Sequence, residues 1–370
     1  MSLERRFRRI LLALLRAMLS SRPAGSLATK DFSKILVVRQ HNQLGDMLCV
    51  VPLLRALRSK FPQARISLLA SPVNAEVMFN NRYLDEVIVY DKQVMLGKIT
   101  LRLHTILAFV RNLRTHRFEV VLVPSTVSTS FTSDLFAYFS GAKVRIGALS
   151  IDGKENPSGF LFNVPVVLDW RTTPHRHQTL RNLDLVAALS VSTPDQTIEM
   201  SLYEEERKAA GAVVAKALGK KPIGICFHPG AGKVPNRWPA SRFAEAANLL
   251  ARAFDAQVFV TAGPMDDLPV DEMLSGLQVD VEVIRRQPVR VVASILFHLQ
   301  LVITNDTGIM HVAAAVGVPV LSLFGPTDPE QWAPIGGKFR YISGDGGKTG
   351  NIAVTEVVRT AGEMLRENAT

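Results

Sequence analysis

The chain has 370 residues, of which 47% are hydrophobic and 21% charged, so it suits two globular domains better than one and is neither disordered nor a repeat array. Its formal charge of +10 and pI near 9.8 indicate an anionic partner, namely nucleic acid, an acidic membrane surface or a phosphorylated substrate. Nucleic acid ranks last of the three, because the arginines are not interleaved with aromatic residues and no nucleic-acid-binding motif occurs.

Residues 3–19 combine an apolar stripe at helical spacing with several arginines. The apolar run is shorter than the ~20 residues of a membrane-spanning helix, and Arg16 interrupts it where a signal peptide would be apolar. The segment is a basic amphipathic helix lying on an anionic membrane, a helix packed on the body of the protein, or a frayed extension. The cysteines, Cys49 and Cys226, lie in or beside apolar runs and are expected to be buried free thiols in a reducing cytoplasm.

Short apolar runs alternate with helical segments in the first half of the chain, which predicts a mostly parallel sheet with helices on both faces. A helix is expected from Asp46 to about Ser59, and a long basic helix around 96–115. The strands are predicted at Lys34–Arg39, Ile66–Ala70, Glu86–Tyr90, Glu119–Pro124, Lys143–Gly147 and Val164–Leu168.

The alternation stops around 190–221 and then resumes, which predicts a linker between two doubly wound domains that face a central cleft. We expect an N-terminal segment at 1–30, a first domain at 31–195, a linker at 196–221 and a second domain at 222–370. The strands of the second domain are predicted at Pro222–Phe227, Gln257–Thr261, Val279–Ile284, a run beginning at Val302, and Val318–Phe324, with a last helix at Thr355–Glu367.

Three polar turns follow predicted strands, at the sheet edge where open α/β folds bind ligands. The first contains Gly45, which permits close approach to the backbone, and Asp46, which is either a helix cap or a catalytic carboxylate. The second, His228-Pro-Gly-Ala-Gly-Lys233, resembles a phosphate cradle but is not a Walker A loop. The third, Asp306-Thr307-Gly308, opens a helix carrying His311, and the next strand ends in a turn that contains Gly325 and Thr327. No residues have metal-ligand spacing, and no nucleophile motif occurs.

Together the three turns resemble glycosyltransferase family 9, the ADP-heptose:lipopolysaccharide heptosyltransferases. The resemblance extends from Lys34 to the C-terminal helix. It depends on Arg39…Leu44-Gly45-Asp46…Pro52…Leu54, His228-Pro-Gly…Arg237-Trp238-Pro239, and Asp306-Thr307-Gly308-x-x-His311…Gly317-x-Pro319…Phe324-Gly325-Pro326-Thr327-x-Pro329…Trp332.

This resemblance implies a GT-B fold, with the acceptor bound by the first Rossmann-like domain and the nucleotide-sugar donor by the second. It also implies an inverting transfer of heptose from ADP-heptose to a lipopolysaccharide core or related envelope glycan, with no metal and no cofactor. In that scheme Asp46 matches the general base. The implied donor-site residues are Gly45, Lys233, Arg237, Asp267 (for the ribose), Asp306, Thr307, Gly308, His311, Gly325 and Thr327.

The chain departs from the family pattern at Asn236, where members often have lysine, and at Asp267, where the acidic residue is shorter than the usual glutamate. The implied acceptor is an anionic glycolipid at the cytoplasmic face of the inner membrane, so a peripheral location is expected. The basic residues Lys98, Arg102, Arg111, Arg114 and Arg117 are either its contact surface or an ordinary solvated helix face. Two alternatives stay open: another GT-B enzyme such as a sugar-nucleotide epimerase, or a non-catalytic relative that binds sugar nucleotides.

Overall fold

The computed structural model describes residues 30–40, 43–91 and 99–368, together with residues 16, 25 and 27. For residues 99–103 it describes the backbone alone. The expected amphipathic segment at 3–19 therefore lies almost entirely outside the described residues, as do Lys98 and the side chain of Arg102. Within the part that is described, no helix is both long enough and apolar enough to cross a bilayer.

By their internal contacts, the residues divide into two compact units. The first consists of the described parts of 1–42 with 49–75 and 81–196, and the second of 43–48, 76–80 and 197–370. Two short segments from the first half of the sequence thus pack with the second unit, which differs from the continuous boundaries expected from the sequence. One of them, 43–48, contains Gly45 and Asp46.

The first unit is built on a seven-stranded sheet in the order β3-β2-β1-β4-β5-β6, with β7 also paired to β5. All pairs are parallel except the β5–β6 hairpin. The strands are β1 Lys34–Arg39, β2 Arg65–Ala70, β3 Glu86–Val89, β4 Val120–Val123, β5 Val144–Ile151, β6 Lys154–Glu155 and β7 Val164–Leu168. The helices in this part of the sequence are α1 Leu44–Leu48, which packs with the second unit, and α2 Val51–Lys60, α3 Pro72–Glu76, α4 Ile99–Thr115, α5 Phe131–Phe139 and α6 Gln178–Leu185.

The helix expected from 46 to 59 is interrupted after Leu48, and a second helix begins at Val51. Pro52 lies at the start of that second helix, where its missing N–H costs nothing. The carbonyl of Cys49, at the break, accepts a hydrogen bond of 3.0 Å from the side-chain amide of Asn182 in α6. Asp46 is therefore carried by a short helix of its own.

The second unit has a six-stranded, fully parallel sheet in the order β10-β9-β8-β11-β12-β13. Its strands are β8 Ile223–His228, β9 Ala256–Ala262, β10 Val281–Arg285, β11 Leu301–Asn305, β12 Val320–Phe324 and β13 Phe339–Ser343. Its helices are α7 Glu204–Leu218, α8 Ala240–Phe254, α9 Asp267–Gly276, α10 Val289–Leu296, α11 Gly308–Ala315, α12 Pro329–Trp332 and α13 Val354–Glu367. The expected linker at 196–221 contains α7, whose Ala210 and Val214 are buried.

Side chains alternate across this second sheet, and both of its faces are covered, as the continuous apolar strands require. Phe227 packs with Trp238 and Phe243 in the core on one face, and its neighbour Cys226 packs with Phe259 in the core on the other. Because both faces are closed by helices, ligand access is confined to the edges of the sheet, where the polar turns lie.

Candidate functional site

The second sheet reverses its winding between β8 and β11, which are adjacent and parallel. The crevice beyond the carboxyl ends of two such strands is the usual ligand site of an open α/β sheet. Asn305, the last residue of β11, is fully buried there. Its side-chain Nδ2 donates to the carbonyl oxygen of Pro229 at 2.9 Å, and its side-chain Oδ1 accepts from the backbone N–H of Trp238 at 2.9 Å. Asn305 thus fixes both ends of the turn that follows β8.

Asp306 lies directly after this asparagine and is held by two neutral side chains. The Asn236 amide donates to Asp306 Oδ2 at 2.9 Å and to Thr327 Oγ1 at 3.1 Å, and the Thr327 hydroxyl donates to Asp306 as well. Burial raises the pKa of Asp306, and the hydrogen bond from Thr327 and the positive charge of Lys233 oppose that rise. The turns after β8, β11 and β12 therefore converge on one carboxylate.

Thr307 has an extended backbone, and α11 begins at the next residue, Gly308. The first amides of this eight-residue helix consequently point out of the sheet edge beside Asp306. A helix N-terminus carries a partial positive charge and favours a phosphate group. Lys233 is exposed in the adjacent turn, and Arg237 is half-buried and donates from Nε to the Ala231 carbonyl at 2.9 Å.

Gly325, at the end of β12, is required for close packing of the backbone. A side-chain Cβ built on it would lie 2.8 Å from Thr349 Cγ2 and 2.9 Å from the carbonyl oxygen of Pro235. Thr349 in turn donates from its hydroxyl to the Arg237 carbonyl at 2.7 Å. The glycine therefore joins the turn after β12 to the turn that carries Lys233 and Asn236.

The segment with the predicted base packs against α11. The ring of His311 fills the space beside Gly45, where a Cβ would lie 2.5 Å from His311 Cδ2, and Leu44 lies against Gly308. Asp46 is buried, with 6% of its surface exposed. The close approach expected at Gly45 is thus made by a side chain of the protein itself. Gly45, Asp46, Gly308 and His311 are brought together within the second unit.

Asp267 is not part of this group of residues. Its carboxylate accepts from Arg286 and lies 3.3 Å from Arg285 Nη1, and these arginines, Arg286 first, hold its pKa below the usual range. The preceding Asp266, which the sequence did not single out, is buried instead. Its Oδ2 accepts from the Gly263 N–H at 2.9 Å, and its carboxylate occupies the space beside Gly230.

Asp266 also lies 3.7 Å from Nε2 of the buried His228. His228 Nδ1 is 3.0 Å from the Thr261 carbonyl oxygen, which can only accept, so Nδ1 carries the proton. Burial lowers the pKa of His228, so the ring is neutral near pH 7. The hydrogen bond from His228 to Thr261 and the packing of Asp266 against Gly230 join the turns after β8 and β9.

Sequence reasoning missed Asn305, Asp266 and Thr349 as site residues, and it noted Asn236 only as a departure from a pattern. The sequence does point to Asn305, since a polar residue at the end of a continuous apolar strand must find hydrogen-bond partners. Nothing in the sequence indicates Thr349, because its role depends on contact between its loop and Arg237, which lies 112 residues earlier. Among the described residues, no group of three or more His, Cys, Asp or Glu side chains is arranged to hold a metal ion.

Comparisons with known proteins agree with this architecture. The profile of glycosyltransferase family 9 (heptosyltransferase) matches residues 106–357. Lipopolysaccharide heptosyltransferase 2 of Escherichia coli strain K12 is 27% identical over 323 residues, which cover 84% of this chain and 87% of the relative.

Solved structures also resemble the chain. That of the glycosyl transferase family 9 protein from Veillonella parvula DSM 2008 has a TM-score of 0.80 at 23% identity, covering 93% of this chain and 99% of that one. That of Escherichia coli ADP-heptose lps heptosyltransferase II has a TM-score of 0.75 at 22% identity, covering 91% and 100%.

Two Rossmann-like α/β units of this kind define the GT-B class of fold, as the sequence predicts. Because the family profile spans more than half of the chain, the protein belongs to glycosyltransferase family 9 and is a glycosyltransferase.

Proposed function

We propose that the protein transfers a heptose from ADP-heptose to a lipopolysaccharide core, or a related envelope glycan, by an inverting displacement that uses neither metal ion nor cofactor. The observation that carries the proposal is the packing of the Gly45–Asp46 segment on α11, the helix that begins at the Asp306–Thr307–Gly308 turn. A general base and an anion-binding helix start then belong to one compact unit. The names of the relatives support the choice of sugar and donor.

In the proposed reaction, Asp46 accepts the proton of an acceptor hydroxyl while that oxygen attacks the anomeric carbon of the donor. The bond to the diphosphate oxygen breaks on the opposite face, which inverts the anomeric configuration. The departing diphosphate gains negative charge. The amides of Thr307 and Gly308, with Lys233 and Arg237, are suited to stabilise that charge because they are fixed before the reaction.

Asp306, Asn236 and Thr327 form the neighbouring wall of the proposed donor site, with His311 behind it and Gly325 allowing the turns to approach. Asp267 retains its proposed contact with the ribose, although its pairing with two arginines competes with that contact. Asn236 is a neutral hydrogen-bond donor at a position where the family pattern often has lysine. In the proposed site, the positive charge near the diphosphate therefore comes from Lys233 and Arg237.

The proposed reaction is tested by measuring sugar transfer directly. The purified protein, given ADP-heptose and a truncated lipopolysaccharide acceptor, should release ADP, and nuclear magnetic resonance should find the inverted anomer with EDTA present. Asp46→Asn should lower turnover by about 10²- to 10⁴-fold, because the amide cannot accept the proton, while the Kd for ADP stays unchanged. The exposed Asp31→Asn is the matched control and should behave like wild type. Retained turnover in Asp46→Asn would remove the base assignment.

A thermal-shift panel tests the donor separately from the acceptor. ADP-heptose should raise the melting temperature more than UDP-, GDP- or CMP-sugars at equal concentration, because ligand binding to the native state stabilises it. A larger shift with another nucleotide would contradict the proposed donor.

We also propose that the enzyme works at the cytoplasmic face of the inner membrane, where its anionic glycolipid acceptor would be anchored. The net charge of +10 supports this location, as do the exposed Arg111, Arg114 and Arg117 in and after α4. Arg111→Glu combined with Arg114→Glu should raise the KM for the acceptor and leave the KM for the donor unchanged. Deleting residues 1–25 should weaken binding to anionic liposomes, and unchanged binding would reject a membrane role for that segment.

A further inference from the structure

The contact between Gly45 and His311 is closer than any larger residue at position 45 would allow. A Cβ at Gly45 would lie 2.5 Å from Cδ2 and 2.8 Å from Nε2 of the histidine ring. Gly45 is inside the helix α1, and its φ is not in the left-handed region that favours glycine. An alanine would therefore suit the backbone here, so the glycine is required for space alone.

The histidine ring has little freedom to make room. His311 is 3% exposed, lies in α11 between the fully buried Met310 and Val312, and makes an edge contact with Trp332 at 6.2 Å between ring centroids. One turn earlier on the same helix, a Cβ built on Gly308 would lie 3.4 Å from Leu44 Cβ, which is ordinary van der Waals contact. Residues three apart lie on one face of a helix, so α11 receives α1 through two adjacent contacts.

We propose that this contact sets the position of Asp46, and that His311 is a positioning residue whose ring acts as a fixed stop for the backbone of Gly45. Asp46 is the next residue of the same short helix, so any shift of Gly45 away from the ring moves the carboxylate too. The role of Asp46 as the base rests on the proposed function, whereas the steric relation between Gly45 and His311 does not. The pairing also gives a physical reason for a glycine directly before the aspartate.

The decisive experiment is a double-mutant cycle in which the effect of Gly45→Ala on the melting temperature changes sign. Gly45→Ala should lower the melting temperature of the otherwise wild-type protein, because the methyl group collides with the ring. In the His311→Ala background the same substitution should be neutral or stabilising, since alanine is the better helix former and the space is now open. Gly362→Ala is the matched control, because a Cβ there meets its nearest atom at 3.4 Å; it should not lower the melting temperature in either background.

Cys49 gives a local readout of the position of α1, because it is 1% exposed and follows Leu48 directly. Cys226 is fully buried in β8, and burial raises the pKa of its thiol to about 12, so it should label slowly. Peptide mass spectrometry separates the two sites after labelling with a thiol reagent. Gly45→Ala should speed labelling of Cys49, and adding His311→Ala should return the rate toward that of His311→Ala alone.

Kinetics distinguish positioning from general stability. Gly45→Ala should lower kcat below that of wild type at temperatures where both are folded, and adding His311→Ala should raise kcat again to that of His311→Ala alone. If Gly45→Ala does not fold but the double variant does, the collision is established.

The proposal would be overturned if the effects of Gly45→Ala and His311→Ala on the melting temperature simply add, or if the double variant also fails to fold. If the wild-type protein transfers no heptose, the proposed function fails, while melting temperature and Cys49 labelling still test the contact.

Discussion

The two Rossmann-like units each have an aspartate at the helix that follows an equivalent strand, and the two carboxyl groups lie in different surroundings. β4 and β11 each pair with the first strand of their own unit on the side opposite to its second strand. Asp134 lies in the first turn of the helix after β4, and Asp306 lies just before the helix after β11.

Asp134 is 1% exposed, and its Oδ2 accepts from Ser158 Oγ at 2.6 Å and from Asn156 Nδ2 at 2.9 Å. Asp306 has similar neutral partners but is only partly buried and lies near Lys233, at the turn where a helix begins. The comparison teaches that the topological position alone does not make a site. Access and a nearby cation distinguish a carboxylate that stabilises the fold from one that can meet a ligand.

The largest expected effect is on stability, at Asp134. Burial raises its pKa from 3.8 to about 6, so the unfolded chain loses this proton at lower pH than the folded protein does. Its contribution is therefore fully present below pH 3.8 and is lost as the pH rises through about 6. The difference between the two pKa values corresponds to about 3 kcal/mol.

Asp134→Asn should remove this pH dependence, because an amide oxygen in place of Oδ2 can keep both hydrogen bonds. Urea unfolding between pH 4 and 8 measures the result: the free energy of unfolding of wild type, relative to the variant, should fall by up to about 3 kcal/mol. Parallel curves for the two proteins would show that Asp134 is not the group that titrates.

The next effect is on donor binding, at Asp306. Asp306→Ala should weaken binding of ADP-heptose by about 10- to 100-fold, the effect of losing one hydrogen bond to a charged group, which is worth about 1.5–3 kcal/mol. Titration calorimetry measures it, and Asp134→Asn is the matched control that should leave the Kd unchanged. Equal losses in both variants would contradict the distinction between the two aspartates.

The sequence predicts the strands around these aspartates well, because β4 and β11 are continuous apolar runs closed by polar residues. It misses β13 (Phe339–Ser343), where apolar residues are interrupted by Arg340. The sequence also indicates that the polar turns carrying Lys233, Asp306 and Thr327 each follow a predicted strand of the second domain, which places them at one sheet edge. The Asn236 bridge could not be predicted, because a hydrogen bond between residues 70 apart depends on side-chain orientation in the folded protein.

A smaller loss of donor affinity is expected at Asn236, which holds Asp306 in place. Asn236→Ala should weaken ADP-heptose binding about fivefold, the effect of losing hydrogen bonds worth about 1 kcal/mol in total. Asn236→Asp has the same shape but brings a second carboxylate to Asp306. This variant should bind ADP-heptose more weakly at pH 8 than at pH 5.5, because the two carboxylates can share a proton at the lower pH. The same Kd at both pH values would show that position 236 does not face Asp306.

The smallest effect is expected at Asp267, where access is available but the local charge is already neutralised. Its carboxylate is paired with Arg285 and Arg286 on the surface, so a ribose hydroxyl must share it with two guanidinium groups. Asp267→Asn should therefore weaken ADP binding by less than about threefold, because little of the hydrogen-bonding capacity of the carboxylate is left for the ribose. Asp271→Asn removes another partner of Arg285 without touching the proposed ribose contact, so it reports the effect of freeing the arginine alone. If Asp267→Asn alone weakens ADP binding by more than tenfold, the ribose contact outweighs both ion pairs. Access to the ligand would then decide the role of a carboxylate even where cations already surround it.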